Sequence, residues 1–135
     1  MNTTEVLRSV SNKDHYSSDA CVIWCFDARF SKLLDEFINS QNLKNIDLIK
    51  IAGGAQDVAE KNLYVLDQIA KSIKLHAPKK IVLMMHTECG ACGGTTDQSF
   101  YELQLAKAAR VIAEEFPTLP VQLLFADFES LTEKK

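Results

Sequence analysis

Glycine and proline are scarce, five and three of 135 residues. That excludes a collagen-like or low-complexity chain. Basic residues are not in excess. Fifteen Lys and Arg against 18 Asp and Glu leave a formal net charge of -3. Such a chain lacks the basic footprint of a nucleic-acid binder, and no nucleic-acid partner is expected. No apolar run approaches the roughly 20 residues of a membrane-spanning helix, so no membrane partner is expected. The N-terminus, Met1-Asn2-Thr3-Thr4-Glu5, lacks the basic-then-apolar pattern of a signal peptide. A cytoplasmic location with reduced thiols follows as an expectation. What is present is an ordinary globular composition, 47% hydrophobic and 24% charged. The length suits one domain with a substantial core. The four cysteines then carry the most information. In reduced form each is a small buried hydrophobe, a ligand or a nucleophile.

The apolar pattern alternates between two periods. Residues 20–26 are a continuous apolar run, a strand buried on both faces. Phe30, Leu33, Leu34, Phe37 and Ile38 then follow helical spacing. Residues 45–51 read as a second strand, followed by a loop at Ala52-Gly53-Gly54. A single long helix is predicted over 56–76, stopped by Pro78. Residues 80–85 are a third strand and 121–126 a fourth. Between them a glycine-containing segment leads to a helix with Ser99 and Glu102 at capping-box spacing. Residues 1–18 read as an N-terminal arm, with a short weak helix within it. Residues 130–135 read as a loose charged tail. The predicted architecture is a single α/β domain over 1–135, with a four-stranded parallel sheet and helices on both faces.

Such sheets place ligands beyond the carboxyl ends of their strands. The first strand ends in Cys25-Phe26-Asp27-Ala28-Arg29 and the third in His86-Thr87-Glu88-Cys89-Gly90. If those strands are neighbours, Cys25, His86 and Cys89 converge. Two thiolates and an imidazole form a donor set suited to zinc.

These two segments resemble those of the β-class carbonic anhydrases, which carry Cys-x-Asp-x-Arg after the first strand and His-x-x-Cys-Gly after the third. Lys50-Ile51-Ala52-Gly53-Gly54 stands where that family has an Arg-Asn-Ala-Gly-like segment. The resemblance runs from about Ala20 to Phe128 and marks a short, minimal member. It implies the strand order 2-1-3-4, Zn²⁺ held by Cys25, His86 and Cys89, and a homodimer or higher homo-oligomer. It also implies reversible hydration of carbon dioxide to bicarbonate by a zinc-bound hydroxide. Asp27 would orient that hydroxide, and Arg29 would keep Asp27 ionised. In a closed state known in the family, the equivalent of Asp27 becomes the fourth zinc ligand.

Other readings stand beside this one. Asp27 and Arg29 are also what an ordinary ion pair at a helix start looks like. Cys21 reads as core. Cys92 completes a Cys-x-x-Cys with Cys89, which leaves ligation, redox work and neither open. Gly53 and Gly54 either permit a turn or let the backbone approach the pocket. His76 reads as structural at a helix end, and His15 is a candidate proton shuttle. The competing functions are hydrolysis of carbon disulfide or carbonyl sulfide, zinc binding without turnover, and redox work by Cys89 and Cys92.

Overall fold

The computed structural model describes residues 1–135. Its centre is a five-stranded sheet of order β2-β1-β3-β4-β5. The strands are β1 (Ala20–Cys25), β2 (Ile46–Ile51), β3 (Ile81–His86), β4 (Val121–Ala126) and β5 (Leu131–Lys134). The first four are parallel, and β5 runs antiparallel to β4. The helices are α1 (Ser31–Ser40), α2 (Gln56–Ala59), α3 (Leu63–His76) and α4 (Gln98–Glu115).

Every residue of β1 and β3 is buried. This is the physical meaning of their unbroken apolar runs: each lies mid-sheet with both faces covered. On the α1 face, Trp24 stacks on Phe37 with ring centroids 6.0 Å apart, and its indole N–H donates to the Phe30 carbonyl at 3.0 Å. On the opposite face, Tyr101 of α4 packs on Phe125 at 5.6 Å. Each large apolar side chain fully buried here contributes about 1.5–3 kcal/mol of transfer free energy. At the edge, β2 carries Asp47 and Lys50 among its apolar residues and is only partly buried.

Four segments differ from the reading of the chain. Residues 130–135 are not a loose tail: Leu131 to Lys134 pair with Ala126 to Leu123. The Asp127 carboxylate accepts from the backbone N–H of Glu129 and Ser130 at 2.8 and 2.7 Å. That local turn reverses the chain into the fifth strand. The predicted helix 56–76 is two helices. Lys61 takes a left-handed φ of 56°, and Asn62 caps α3 by accepting from Tyr64 and Val65 N–H. The cap of α4 is Asp97, one turn-start before Ser99, whose N–H it accepts at 3.0 Å. Residues 1–17 form an arm with no helix.

Candidate metal centre

The three strand-end donors come together. One ligand atom from each of Cys25, His86 and Cys89 lies within 4.8 Å of the others, and all three residues are buried. The topology does this. With β1 beside β3, the last residue of each strand reaches the same edge of the sheet. Cys89 needs a further turn. Glu88 adopts a left-handed φ of 55°, which costs about 1–2 kcal/mol for a residue with a side chain. Two contacts hold it there: the Glu88 N–H donates to the Thr95 carbonyl at 3.0 Å, and its carbonyl accepts from Arg29 at 3.2 Å.

The loop after β2 closes the site from above. The Ala55 N–H donates to the Met84 carbonyl at 3.0 Å, so the loop crosses the end of β1 to reach β3. Gly54 lies at the crossing with φ +56°. A Cβ there would meet the Met84 carbonyl oxygen at 2.3 Å and the Cys25 nitrogen at 3.3 Å. Its neighbour Gly53 also has a positive φ, +81°. Of the two roles left open for these glycines, the structure therefore displays both: positive φ and close approach to the site.

One nitrogen decides whether the donor set fits a metal. His86 Nδ1 lies 2.6 Å from the Thr87 carbonyl, which can only accept, so Nδ1 carries the proton. His86 Nε2 is then the lone-pair nitrogen. It is buried and has no hydrogen-bond partner. A buried acceptor left so costs about 1–3 kcal/mol. With two cysteine sulfurs beside it, Nε2 would be satisfied by a cation that takes nitrogen and sulfur ligands. The fit is good.

The three donors also act on one another electrostatically. The hydrogen bond from Cys89 favours the thiolate of Cys25, with His86 and the N–H groups of Asp27 and Gly53 adding to it against burial. The Cys25 thiol is held well below the usual range, and Cys89, beside that sulfur, is raised. Burial disfavours the charged form of His86, but Cys25, Thr87 and Asp27 outweigh it and raise the imidazole.

Asp27 caps the single 3₁₀ turn Ala28–Phe30 and accepts the Arg29 N–H at 2.9 Å. The Arg29 guanidinium grips the same carboxylate, with Nη2 2.8 Å from Oδ2 and Nε 3.1 Å from both oxygens. These bonds hold the Asp27 carboxyl down at about 2. Asp27 Oδ2 also lies 3.8 Å from His86 Nε2. A plain surface pair would not be aimed at a buried ligand atom. The pair thus lies directly against the three-donor group.

A family model described as "Putative carbonic anhydrase" matches residues 15–134. The chain belongs to the β-carbonic anhydrase family. Comparison with the curated proteins finds no significant match. Among solved structures, a carbonic anhydrase from Streptococcus mutans is similar, with a TM-score of 0.69 at 14% identity, over 94% of this chain and 88% of that one. A β-carbonic anhydrase from Trichomonas vaginalis gives 0.58 at 14% identity, over 93% and 87%. A structure from work on two tetrameric β-carbonic anhydrases of Sordaria macrospora gives 0.56 at 16% identity, over 87% and 81%. At these identities the likeness speaks for the fold.

For this family member, the remaining candidates fall elsewhere. Cys21 is fully buried, and burial raises its thiol to about 11, as befits core. His15 and His76 sit at the amino end of the sheet, away from the site, where Ser18 N–H donates to the His76 carbonyl. There Asp47 gathers Tyr16, Ser72 and His76 at 2.6–3.0 Å and holds the arm against β2 and α3. His15, with its ring 5.5 Å from that of His76, is no shuttle for Cys25 and His86. Cys92 is partly exposed and stands outside the three-donor group, although its backbone N–H donates to the Cys89 carbonyl at 3.0 Å.

Three supporting residues escaped the sequence reading. Phe30 stacks on the His86 ring at 4.2 Å. Phe128, in the β4–β5 turn, lies under the Arg29 guanidinium at 5.2 Å and against Phe30 at 5.5 Å. The Tyr101 hydroxyl accepts the Cys89 N–H at 3.2 Å and donates to the Thr95 carbonyl at 2.7 Å. Only Tyr101 left a trace in the sequence: a tyrosine on the buried face of a helix needs a partner for its hydroxyl.

Proposed function

We propose that this protein is a zinc-dependent lyase that interconverts carbon dioxide and bicarbonate. Cys25, His86 and Cys89 hold the ion. The observation that carries the proposal is the buried, unpartnered Nε2 of His86 facing two cysteine sulfurs, with an ionised carboxylate alongside. Zinc bound there would supply a Lewis acid that lowers the pKa of water and yields a nucleophile near neutral pH.

The residues of the chain do the rest. Asp27 Oδ2 accepts a hydrogen bond from the attacking water and turns a lone pair toward carbon dioxide. Asp27 must stay an acceptor for this, and the Arg29 grip ensures it far below neutrality. Arg29 is fixed in turn by the Glu88 carbonyl and by Phe128. Phe30 covers one face of His86 and keeps solvent from that side.

The functional unit is a homodimer or a larger homo-oligomer working in the cytoplasm. Val6, Leu7 and Val10 of the arm are 94%, 79% and 98% exposed, apolar surface that a second copy would cover. A relative described as tetrameric is consistent with this. No helix is long and apolar enough to cross a membrane.

Metal analysis and stopped-flow hydration of carbon dioxide test the proposal together. The expected result is one zinc per chain and turnover between about pH 7 and 9. Zinc without hydration anywhere in that range would overturn the lyase assignment. A chain purified without metal, and unable to take it up, would overturn the site as well.

A further inference from the structure

Cys92 is the one cysteine that neither the core nor the proposed metal site absorbs. It ends a single 3₁₀ turn, Gly90–Cys92, of which Cys89 is the N-cap. The Cys92 N–H donates to the Cys89 carbonyl at 3.0 Å, and the Gly94 N–H reaches the same oxygen at 2.8 Å. A turn closed by that i to i+3 bond holds its end Cα atoms within about 7 Å. Disulfides span Cα separations of about 4.4–6.8 Å. Cys89 is 2% exposed, whereas Cys92 is partly exposed beside Gly90, Gly93 and Gly94, around which a side chain would meet nothing within 4 Å.

We propose that Cys89 and Cys92 form a disulfide when the protein meets a hydroperoxide, and that this reaction strips the metal site of a ligand. The inference rests on the assignment of Cys89 as a ligand. In the first step the Cys92 sulfur attacks one oxygen of hydrogen peroxide. The O–O bond breaks, the other oxygen leaves as water with the thiol proton, and Cys92 becomes a sulfenic acid. In the second step the Cys89 sulfur attacks the Cys92 sulfur. The S–S bond forms, the S–O bond breaks, and hydroxide leaves. Peroxide gains the two electrons that the two sulfurs lose. The disulfide sulfur of Cys89 is no longer a thiolate, and Cys25 and His86 alone do not retain the ion. A dithiol reductant reverses the bond and restores the site.

The test uses the full zinc-loaded chain and its Cys92→Ser variant. Peroxide is added, zinc release is followed with a chromogenic chelator, and disulfides are located by peptide mapping. Zinc release is expected to accompany a Cys89–Cys92 disulfide, to reverse with dithiothreitol, and to slow about tenfold or more in the variant. Equal release from both proteins overturns the proposal, as does a map showing Cys25 joined to Cys89. The zinc content of the untreated chain reports separately on the metal site. If it is zero, mapping of the oxidised metal-free chain still decides whether Cys89 and Cys92 pair, and failure to pair overturns the inference.

Discussion

Replacing Gly54 with alanine should be far more damaging than its size suggests. Two costs combine at this position. The backbone φ of +56° lies in the left-handed region, where a Cβ costs about 1–2 kcal/mol. The new Cβ would also stand 2.3 Å from the Met84 carbonyl oxygen. That oxygen cannot retreat freely, because it belongs to the central strand β3 and accepts the Ala55 N–H. Relief of the clash breaks that bond and strands a buried donor, at about 1–3 kcal/mol. The expected total is about 2–5 kcal/mol. Gly93→Ala is the control. It has a φ of +76° and nothing within 4 Å of a Cβ, so only the left-handed cost of about 1–2 kcal/mol applies. Urea unfolding of both variants with a chelator present, so that bound metal does not add to stability, measures the difference. The new Cβ would also crowd the Cys25 backbone nitrogen at 3.3 Å, and zinc affinity should fall about tenfold. If Gly54→Ala is no less stable than Gly93→Ala, the loop does not press on β3 as described and the reasoning fails.

Further outcomes are expected. Cys25→Ser, His86→Ala and Cys89→Ser should each lose zinc by metal analysis while Cys92→Ser keeps it; loss in Cys92→Ser would mean the ligand set is misassigned. Asp27, whose ordinary pKa is 3.8, is held at about 2 by Arg29, so the pair's stabilisation is complete above 3.8 and disappears as pH falls through 2. In Arg29→Ala the Asp27 carboxyl should titrate clearly above 2 by carbon NMR, moving toward its ordinary value, and a midpoint still near 2 would show that other contacts hold it. Tyr16→Phe removes a 2.6 Å bond to Asp47 and should cost about 1 kcal/mol while speeding proteolysis within residues 1–15. Unchanged cleavage would show that Asp47 does not anchor the arm.

Much of the fold was legible because burial writes itself into composition. β1 and β3, covered on both faces, read as unbroken apolar runs, and β4 was bounded correctly at Val121–Ala126. What failed was short and polar. Lys61 and Asn62 break a helix whose apolar spacing continues past them, since a left-handed residue and a cap leave no mark in the periodicity. Leu131-Thr132-Glu133-Lys134 looks like a tail because an edge strand exposed along one side needs few apolar residues. The site shows the same division. Cys25, Asp27, Arg29, His86 and Cys89 announced themselves by chemical type at two strand ends. Phe30 and Phe128 did not, because a phenylalanine that stacks beside a candidate site looks the same in sequence as one that fills a core.

The sequence by itself determined the donor types, their spacing and the strands whose ends bear them. Only the tertiary structure decided that β1 lies beside β3, which brings residues some 60 positions apart within 4.8 Å. It alone decided which histidine nitrogen is left without a partner and which glycine must lack a side chain. Those properties depend on backbone atoms of Thr87, Met84 and Ala55 meeting across the sheet edge. Such meetings follow from packing, and a linear pattern of side chains does not encode them.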